Sequence, residues 1–166
     1  MEIGVLGVNP LAISLIEQWI NRGHLILLHE SNGTAGPGFH AKSDGRGVQV
    51  VPSRHIQGRA EIIVIALRAF DPEMIASLGE VRHRIVVDLI DEARATTSSS
   101  SYSRLQQMFP CAKLVKVALC DPMLLSAADI QIHALYCYSH DQLAQRTVKR
   151  LLTDAGFSVV DLTSIK

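Results

Sequence analysis

The chain begins with a segment whose residue types and spacing suit phosphate binding. Residues 3–12 read IGVLGVNPLA, an apolar run followed by Gly7, the turn-forming pair Asn9-Pro10 and a second apolar period. In a dinucleotide-binding loop, three glycines make the tight turn, let the backbone approach the pyrophosphate and let the helix pack on the strand. Gly7 takes the first of these positions, Asn9 the second, and Ala12, a small substitute, the third.

Two residues of this loop weaken the predicted anion site. Asn9 enters the left-handed region more easily than other residues with a Cβ, so the turn can form, but its side chain takes up space beside the phosphates. Pro10 has no N–H and removes one of the donors that would face an anion at the start of the helix. The remaining N–H groups and the helix dipole still favour an anion. We therefore expect weakened phosphate binding rather than none.

An acidic residue follows where a dinucleotide-binding unit requires one. Glu30 ends the second predicted strand, about 20 residues after the loop, where a carboxylate accepts a hydrogen bond from the ribose 2′-OH of NAD. The alternative interpretation is an exposed carboxylate at a strand end. The loop, the helix and Glu30, in this order, indicate a nicotinamide dinucleotide site.

The rest of the chain supplies the elements that would hold this loop in place. Several strand-like runs are continuously apolar, as in strands that are covered on both faces. The pattern predicts an α/β fold of the Rossmann type, with a doubly wound, mainly parallel sheet and helices on both faces, in a single dinucleotide-binding domain over residues 1–166. The predicted strands cover residues 3–6, 25–29, 48–51, 62–67, 85–89, 114–119, 132–138 and 158–162.

Apolar stripes and capping residues predict the helices. The first helix starts at Pro10 and ends before Gly23, and Asp71 caps the next one. The last helix begins near Ser139, with Gln142 completing a capping box. Its inner stripe is predicted to comprise Leu143, Thr147, Val148, Leu151 and Leu152.

Two stretches interrupt this alternation of strands and helices. Residues 31–47 contain five glycines and a proline where a doubly wound fold places its second helix, so we expect a long loop there. Residues 96–101 read TTSSSS and are expected to form a solvated connector.

Composition limits the classes of partner. Lysine plus arginine equals aspartate plus glutamate, 16 against 16, which argues against a nucleic-acid partner. No apolar run approaches the roughly 18 residues of a membrane span, and the first residues do not resemble a signal peptide. The three cysteines form no C-x-x-C pair, which argues against a disulfide framework and a thiolate metal site. We expect a soluble cytoplasmic protein.

The chain also resembles a known family, the nicotinamide-dependent deazaflavin (coenzyme F420) reductases, together with the cytosolic reductase domain of the STEAP metalloreductases. The resemblance covers most of the chain in the same order, in the stretches MEIGVLG, GHLILLHESNG, EIIVIALRAFD, IVVDLIDEA, SRLQQMFPCAKLVKVAL and ALYCYSHDQLAQRTVKRLLTDAGFSVVDLTS. It implies hydride transfer between NAD(P)H and a deazaflavin, flavin or similar acceptor. In such reactions the cofactors carry the chemistry, so no acid–base residue is required.

The resemblance also implies the positions of the cofactor contacts. Phosphate contacts would involve Gly7, Val8, Asn9, Pro10 and Leu11, cofactor selection would involve Glu30, Ser31 and Asn32, and nicotinamide-side contacts would involve Ala66, Leu67, Arg68, Asp88 and Ala118.

This sequence departs from the family pattern at several of these positions. Asn32 replaces an arginine that pairs with the 2′-phosphate of NADP, and Glu30 would repel that phosphate. We therefore expect NADH to be favoured over NADPH, although Lys42, Arg46 or Arg54 offers a replacement charge. Two asparagines common in the family, after the fifth and sixth strands, are replaced here by Asp91 and Leu119.

These features leave two main hypotheses about function. The first is an NAD(P)H-dependent oxidoreductase, and the alternative is a non-catalytic, nucleotide-sensing or partner-binding module that retains the sheet. A third is a fragment of a longer membrane reductase. A homodimer is the default assembly, since two-fold dimers are the commonest oligomers.

Overall fold

A computed structural model describes residues 1–29, 47–90, 100–119 and 134–161, and these are built around one eight-stranded sheet. Its strands are β1 (Glu2–Leu6), β2 (Leu25–His29), β3 (Val48–Val50), β4 (Ile62–Ile65), β5 (Ile85–Asp88), β6 (Lys113–Leu119), β7 (Ala134–Tyr138) and β8 (Ser158–Asp161). The described helices are α1 (Pro10–Asn21), α2 (Ser53–Arg59), α3 (Pro72–Ala76), α4 (Ser101–Met108) and α5 (Gln142–Asp154).

The strand order is β3-β2-β1-β4-β5-β6-β7-β8, and every neighbouring pair is parallel except β6 and β7. The chain builds outward from β1 through β2 to β3 and then crosses to β4 on the other side of β1. The switch point of the topology therefore lies between β1 and β4, where open α/β sheets bind ligands at the carboxyl ends of their strands. The predicted doubly wound, mainly parallel sheet is confirmed.

Helices cover the two faces of the sheet. α1 and α5 pack on one face, where Trp19 is buried and its indole N–H donates to the Leu151 carbonyl over 3.4 Å. α2, α3 and α4 supply Ile56, Ile75 and Leu105 to a second core on the opposite face. The continuously apolar strands are explained by this arrangement, because alternate side chains of each strand enter different cores.

The contact between β1 and α2 is unusually close. Gly4 of β1 faces α2, and a Cβ at this position would stand 2.2 Å from Cγ2 of Ile56 and 2.9 Å from Cβ of Ala60. A glycine is therefore needed here for the helix to approach the strand, a requirement that the apolar pattern does not reveal.

Capping residues confirm two predicted helix starts and correct a third. Pro10 begins α1, and the Asp71 side chain accepts the Met74 N–H at the start of α3. The last helix is capped by Asp141, whose side chain accepts the Ala144 N–H, rather than by Ser139. The Ser139 hydroxyl instead donates to the Leu114 carbonyl and so ties the chain to β6.

The inner face of α5 also differs from the prediction. Leu143 is 66% exposed, whereas Ala144 and Gln145 are buried beside Val148. Leu143 lies in the first turn on the solvent side of the helix, and Thr147, four residues later, is only half-buried. Leu151 and Leu152 are buried as expected.

The serine-rich stretch was predicted as a solvated connector throughout, and this is wrong at its end. Ser100 caps α4, and Ser101 is the first residue of that helix and is 4% exposed. Residues 31–46 and 96–99, predicted as loops, lie outside the described residues. Within the described ranges, no helix is both long and apolar enough to cross a bilayer.

Candidate functional site

The turn between β1 and α1 has the form that a phosphate-binding loop needs. Gly7 has φ +77°, and its N–H donates to the His29 carbonyl over 2.7 Å. A Cβ at Gly7 would lie 2.4 Å from Cδ2 of Leu67. Both the backbone conformation and the lack of space require glycine here, which confirms the predicted tight turn.

Asn9 plays a part that the sequence did not indicate. Its backbone is extended, with φ −121° and ψ 170°, rather than left-handed, because it is the N-cap of α1. The side-chain Oδ1 accepts the Ala12 N–H over 2.9 Å, and Nδ2 donates to the Leu89 carbonyl over 2.7 Å. Asn9 is 4% exposed, so its carboxamide is held between α1 and the end of β5.

The start of α1 keeps only part of the donor set of a full phosphate loop. Pro10 has no N–H, and the Ala12 N–H is used by Asn9. Within the described ranges, the N–H groups of Val8, Asn9 and Leu11 have no protein acceptor. These groups and the helix dipole remain available to an anion.

The segment that follows β4 forms the next part of this edge. Ala66 is fully buried, and its N–H donates to the Leu6 carbonyl over 2.9 Å. Leu67 is 7% exposed and fills the space beside Gly7. Arg68 is exposed, so it presents the one charged side chain among the three predicted residues of this segment.

Asp88, at the end of β5, is completely buried and fully engaged. Its Oδ2 accepts hydrogen bonds from the Ser101 hydroxyl at 2.5 Å and the Lys116 ammonium at 3.2 Å, and its Oδ1 accepts the Ile90 N–H at 3.0 Å. Burial raises the pKa of the Asp88 carboxyl, although Lys116 and the hydrogen bonds act in the opposite direction. The carboxylate is thus turned into the protein, and any influence on a ligand passes through its neighbours.

Sequence reasoning missed Ser101 and Lys116, the partners of Asp88. Lys116 interrupts the apolar strand KLVKVAL, and a lysine in such a strand signals a buried acidic partner. Ser101 has no comparable local signal, because it lies in a run of serines.

Of the four remaining predicted site residues, only Ala118 lies within the described part of the chain, and no described contact joins it to the loop between β1 and α1 or to the end of β4. Ala118 is half-buried on β6, opposite Tyr136 of β7. Glu30, Ser31 and Asn32 lie outside the described residues.

The described arrangement at the start of α1 can accommodate an anion. Unused N–H groups at the start of α1 lie beside the switch point between β1 and β4, the place where dinucleotides bind in such sheets. No group of three or more metal-ligating side chains occurs within the described ranges.

Comparisons with known proteins place the chain within a fold class. No protein-family model matches the sequence, and no curated protein matches it. Among solved structures, a candidate F420-dependent NADP reductase from Arthrobacter sp. FB24 superposes with a TM-score of 0.74 at 23% identity, over 98% of this chain and 84% of that one. A hypothetical protein from Sinorhizobium meliloti gives a TM-score of 0.72 at 19% identity, with coverage of 98% and 84%.

More distant structures share the same core. A reductive aminase from Aspergillus terreus, solved with NADPH, superposes with a TM-score of 0.68 at 11% identity, over 97% of this chain but 54% of the aminase. At these identities the similarity establishes the fold. The chain is a Rossmann-type α/β protein whose fold is shared with nicotinamide-dependent reductases.

Proposed function

We propose that the chain is an NAD(P)-dependent oxidoreductase with one dinucleotide-binding domain. The observation that carries the proposal is the group of unused N–H donors of Val8, Asn9 and Leu11, at the switch point of the sheet and beside the tight turn at Gly7. This is the geometry in which helix N-termini hold a pyrophosphate. The structural similarity to reductases, one of them solved with NADPH, supports the same assignment.

The dinucleotide would extend across the switch point from the pyrophosphate. Glu30, directly after β2, would accept a hydrogen bond from the adenosine ribose, with Ser31 and Asn32 beside it. The nicotinamide half would lie on the β4 and β5 side, near Ala66, Leu67, Arg68 and Asp88, with Ala118 of β6 as a further expected contact. Hydride would pass to a deazaflavin, flavin or similar acceptor, as in the deazaflavin-reductase and STEAP-type enzymes that the sequence resembles.

Nucleotide binding tests this proposal directly. We expect saturable binding of NADH and NADPH in calorimetry, with NADH tighter because Glu30 repels a 2′-phosphate. At a hundredfold its dissociation constant, such a ligand stabilises the fold by about 2.7 kcal/mol. No heat and no thermal shift at millimolar concentrations of either reduced or oxidised form would reject the proposal, and tighter binding of NADPH would reject the preference.

Two glycines with the same backbone conformation offer a matched pair of variants. Gly7 and Gly23 have φ +77° and +79°, but a Cβ at Gly23 meets nothing within 4 Å. Each alanine substitution costs roughly 1–2 kcal/mol of backbone strain. We expect Gly7→Ala to abolish NADH binding and Gly23→Ala to leave the dissociation constant unchanged.

A second candidate is a nucleotide-sensing or partner-binding module without catalysis. The Asn9 cap favours it, because the cap withdraws the Ala12 N–H in a loop that already lacks the N–H of Pro10. NADH binding without oxidation in the presence of flavin, deazaflavin and ferric acceptors would support this candidate. Measurable NADH oxidation would eliminate it.

For both candidate functions we propose that the protein is cytoplasmic and forms a homodimer.

A further inference from the structure

A buried polar cluster lies beneath the carboxyl end of β5. It consists of Asp88 of β5, Ser101 at the start of α4 and Lys116 of β6. The Lys116 ammonium donates to Oδ2 of Asp88 at 3.2 Å and to the Ser101 hydroxyl at 2.9 Å, while that hydroxyl donates to Asp88 at 2.5 Å. The side chain of Asp88 is completely buried and that of Lys116 is 18% exposed.

The cluster holds the backbone directly after β5, residues Leu89 and Ile90, which we term the β5 exit. Oδ1 of Asp88 accepts the Ile90 N–H at 3.0 Å, and the Lys116 ammonium donates to the Ile90 carbonyl at 3.3 Å. On the other side of the same segment, Asn9 donates to the Leu89 carbonyl at 2.7 Å. Side chains from β5, β6 and the phosphate loop therefore fix the peptide groups of the β5 exit.

The β5 exit lies on the side of the switch point opposite β2. A dinucleotide whose pyrophosphate is at the start of α1 places one nucleotide toward β2, where the acidic residue selects the ribose. Its other nucleotide then extends past β4 to β5. The phosphate loop keeps its own anchors, the bond from the Gly7 N–H to His29 and the Asn9 cap on Ala12.

We propose that Lys116 is a positioning residue for the nicotinamide half of the cofactor, a role that rests on the proposed function. It acts through the Ile90 carbonyl, which it holds at the nicotinamide side of the site. Among its contacts, the Lys116 ammonium donates to the Asp88 carboxylate and the Ile90 carbonyl, both on the β5 segment, and to the Ser101 hydroxyl on α4. Apolar side chains of similar volume can replace a buried ion pair and keep a fold intact, but they cannot hold a carbonyl.

Two ligands separate this role from a general effect on folding. ADP-ribose contains the adenosine and pyrophosphate parts of NADH but lacks the nicotinamide ring. In Lys116→Met we expect the dissociation constant of NADH to rise at least tenfold, while that of ADP-ribose changes less than twofold. The measurement is calorimetry on the full chain with both ligands.

Two control variants distinguish a specific loss of NADH affinity from unfolding of the protein. Lys113→Met removes a half-exposed lysine three positions earlier on β6, which pairs with Asp141 at 3.7 Å, and both dissociation constants should stay at wild-type values. Lys116→Met leaves the Asp88 carboxylate without its counter-charge, so a double variant, Asp88→Asn with Lys116→Met, removes both charges. We expect this double variant to fold and to show the same selective loss of NADH affinity.

The outcomes distinguish the two proposals. If the wild type binds neither NADH nor ADP-ribose, both the proposed function and the positioning role of Lys116 are wrong. If the wild type binds both and the folded Lys116 variants lose both equally, or lose neither, the positioning role alone is wrong.

Discussion

Asn9 shows how one residue can replace a glycine and still suit the same loop. At the position where a dinucleotide-binding loop has its second glycine, the asparagine adopts an extended backbone and turns its carboxamide away from solvent. One end caps α1 and the other binds the Leu89 carbonyl, 80 residues away in the sequence. The side chain therefore takes up one N–H of the proposed anion site and joins the loop between β1 and α1 to the end of β5.

Replacing Asn9 by alanine tests this double role. The variant loses an N-cap, worth about 1 kcal/mol, and leaves the buried Leu89 carbonyl without its donor, worth roughly another 1–3 kcal/mol. We expect a loss of at least about 2 kcal/mol in the free energy of unfolding, measured by chemical denaturation. Asp71→Ala removes only a cap, since Asp71 is exposed and accepts the Met74 N–H at 3.0 Å, and should cost about 1 kcal/mol. Equal losses in the two variants would contradict the link to Leu89.

At the scale of elements, the packing of α2 on β1 determines how closely a helix can approach the strand that leads into the phosphate loop. Gly4 permits this approach, because the position of its absent Cβ is already taken by Ile56 and Ala60. Gly4 lies three residues before Gly7, so a displaced β1 also displaces the loop that follows it. The glycine in the strand is a packing requirement rather than a flexible point.

Alanine substitutions at Gly4, inside this contact, and at Gly58, on the exposed side of α2, should have opposite effects. Gly4→Ala forces α2 away from β1, and we expect it to destabilise the protein by about 1–3 kcal/mol. Gly58→Ala lies on α2, where an added Cβ meets nothing within 4 Å, and should stabilise the protein by about 0.5–1 kcal/mol through helix propensity. Denaturant midpoints of both variants measure these changes. A neutral Gly4→Ala would show that the contact is not tight.

For the whole molecule, the sheet order is what brings distant parts of the chain together. It places the carboxyl ends of β1, β4 and β5 side by side and puts α1 and α5 on one face. Trp19 lies between those two helices, and its indole N–H donates to Leu151, 132 residues away in the sequence. The first and last helices therefore share one core.

The single tryptophan reports whether this shared core melts with the rest of the protein. Trp19 is 2% exposed, so its emission should shift to longer wavelength when α1 and α5 separate from the sheet. We expect the fluorescence and far-ultraviolet circular dichroism transitions to coincide in urea, as in a two-state unfolding. A fluorescence midpoint at lower urea concentration would show that this helix layer detaches first.

Local sequence patterns predicted the strands, the mainly parallel sheet and the turn at Gly7, but not the order of the strands. Continuous apolar runs, the Pro10 start of α1 and the Asp71 cap depend on neighbours within a few residues, so local patterns predict them. The start of α5 was placed too early, because Ser139 and Asp141 are both good capping residues and only the contact of Ser139 with β6 separates them.

Tertiary structure alone decided the use of the site's polar side chains. Asn9 donates to the Leu89 carbonyl, and Asp88 accepts hydrogen bonds from Ser101 and Lys116. Each of these bonds joins segments that are far apart in the chain. Local patterns specify which residues form a strand, but the sheet order decides which strands become neighbours. A polar side chain that is buried between neighbouring strands can be assigned a role only when its partner on the other strand is known.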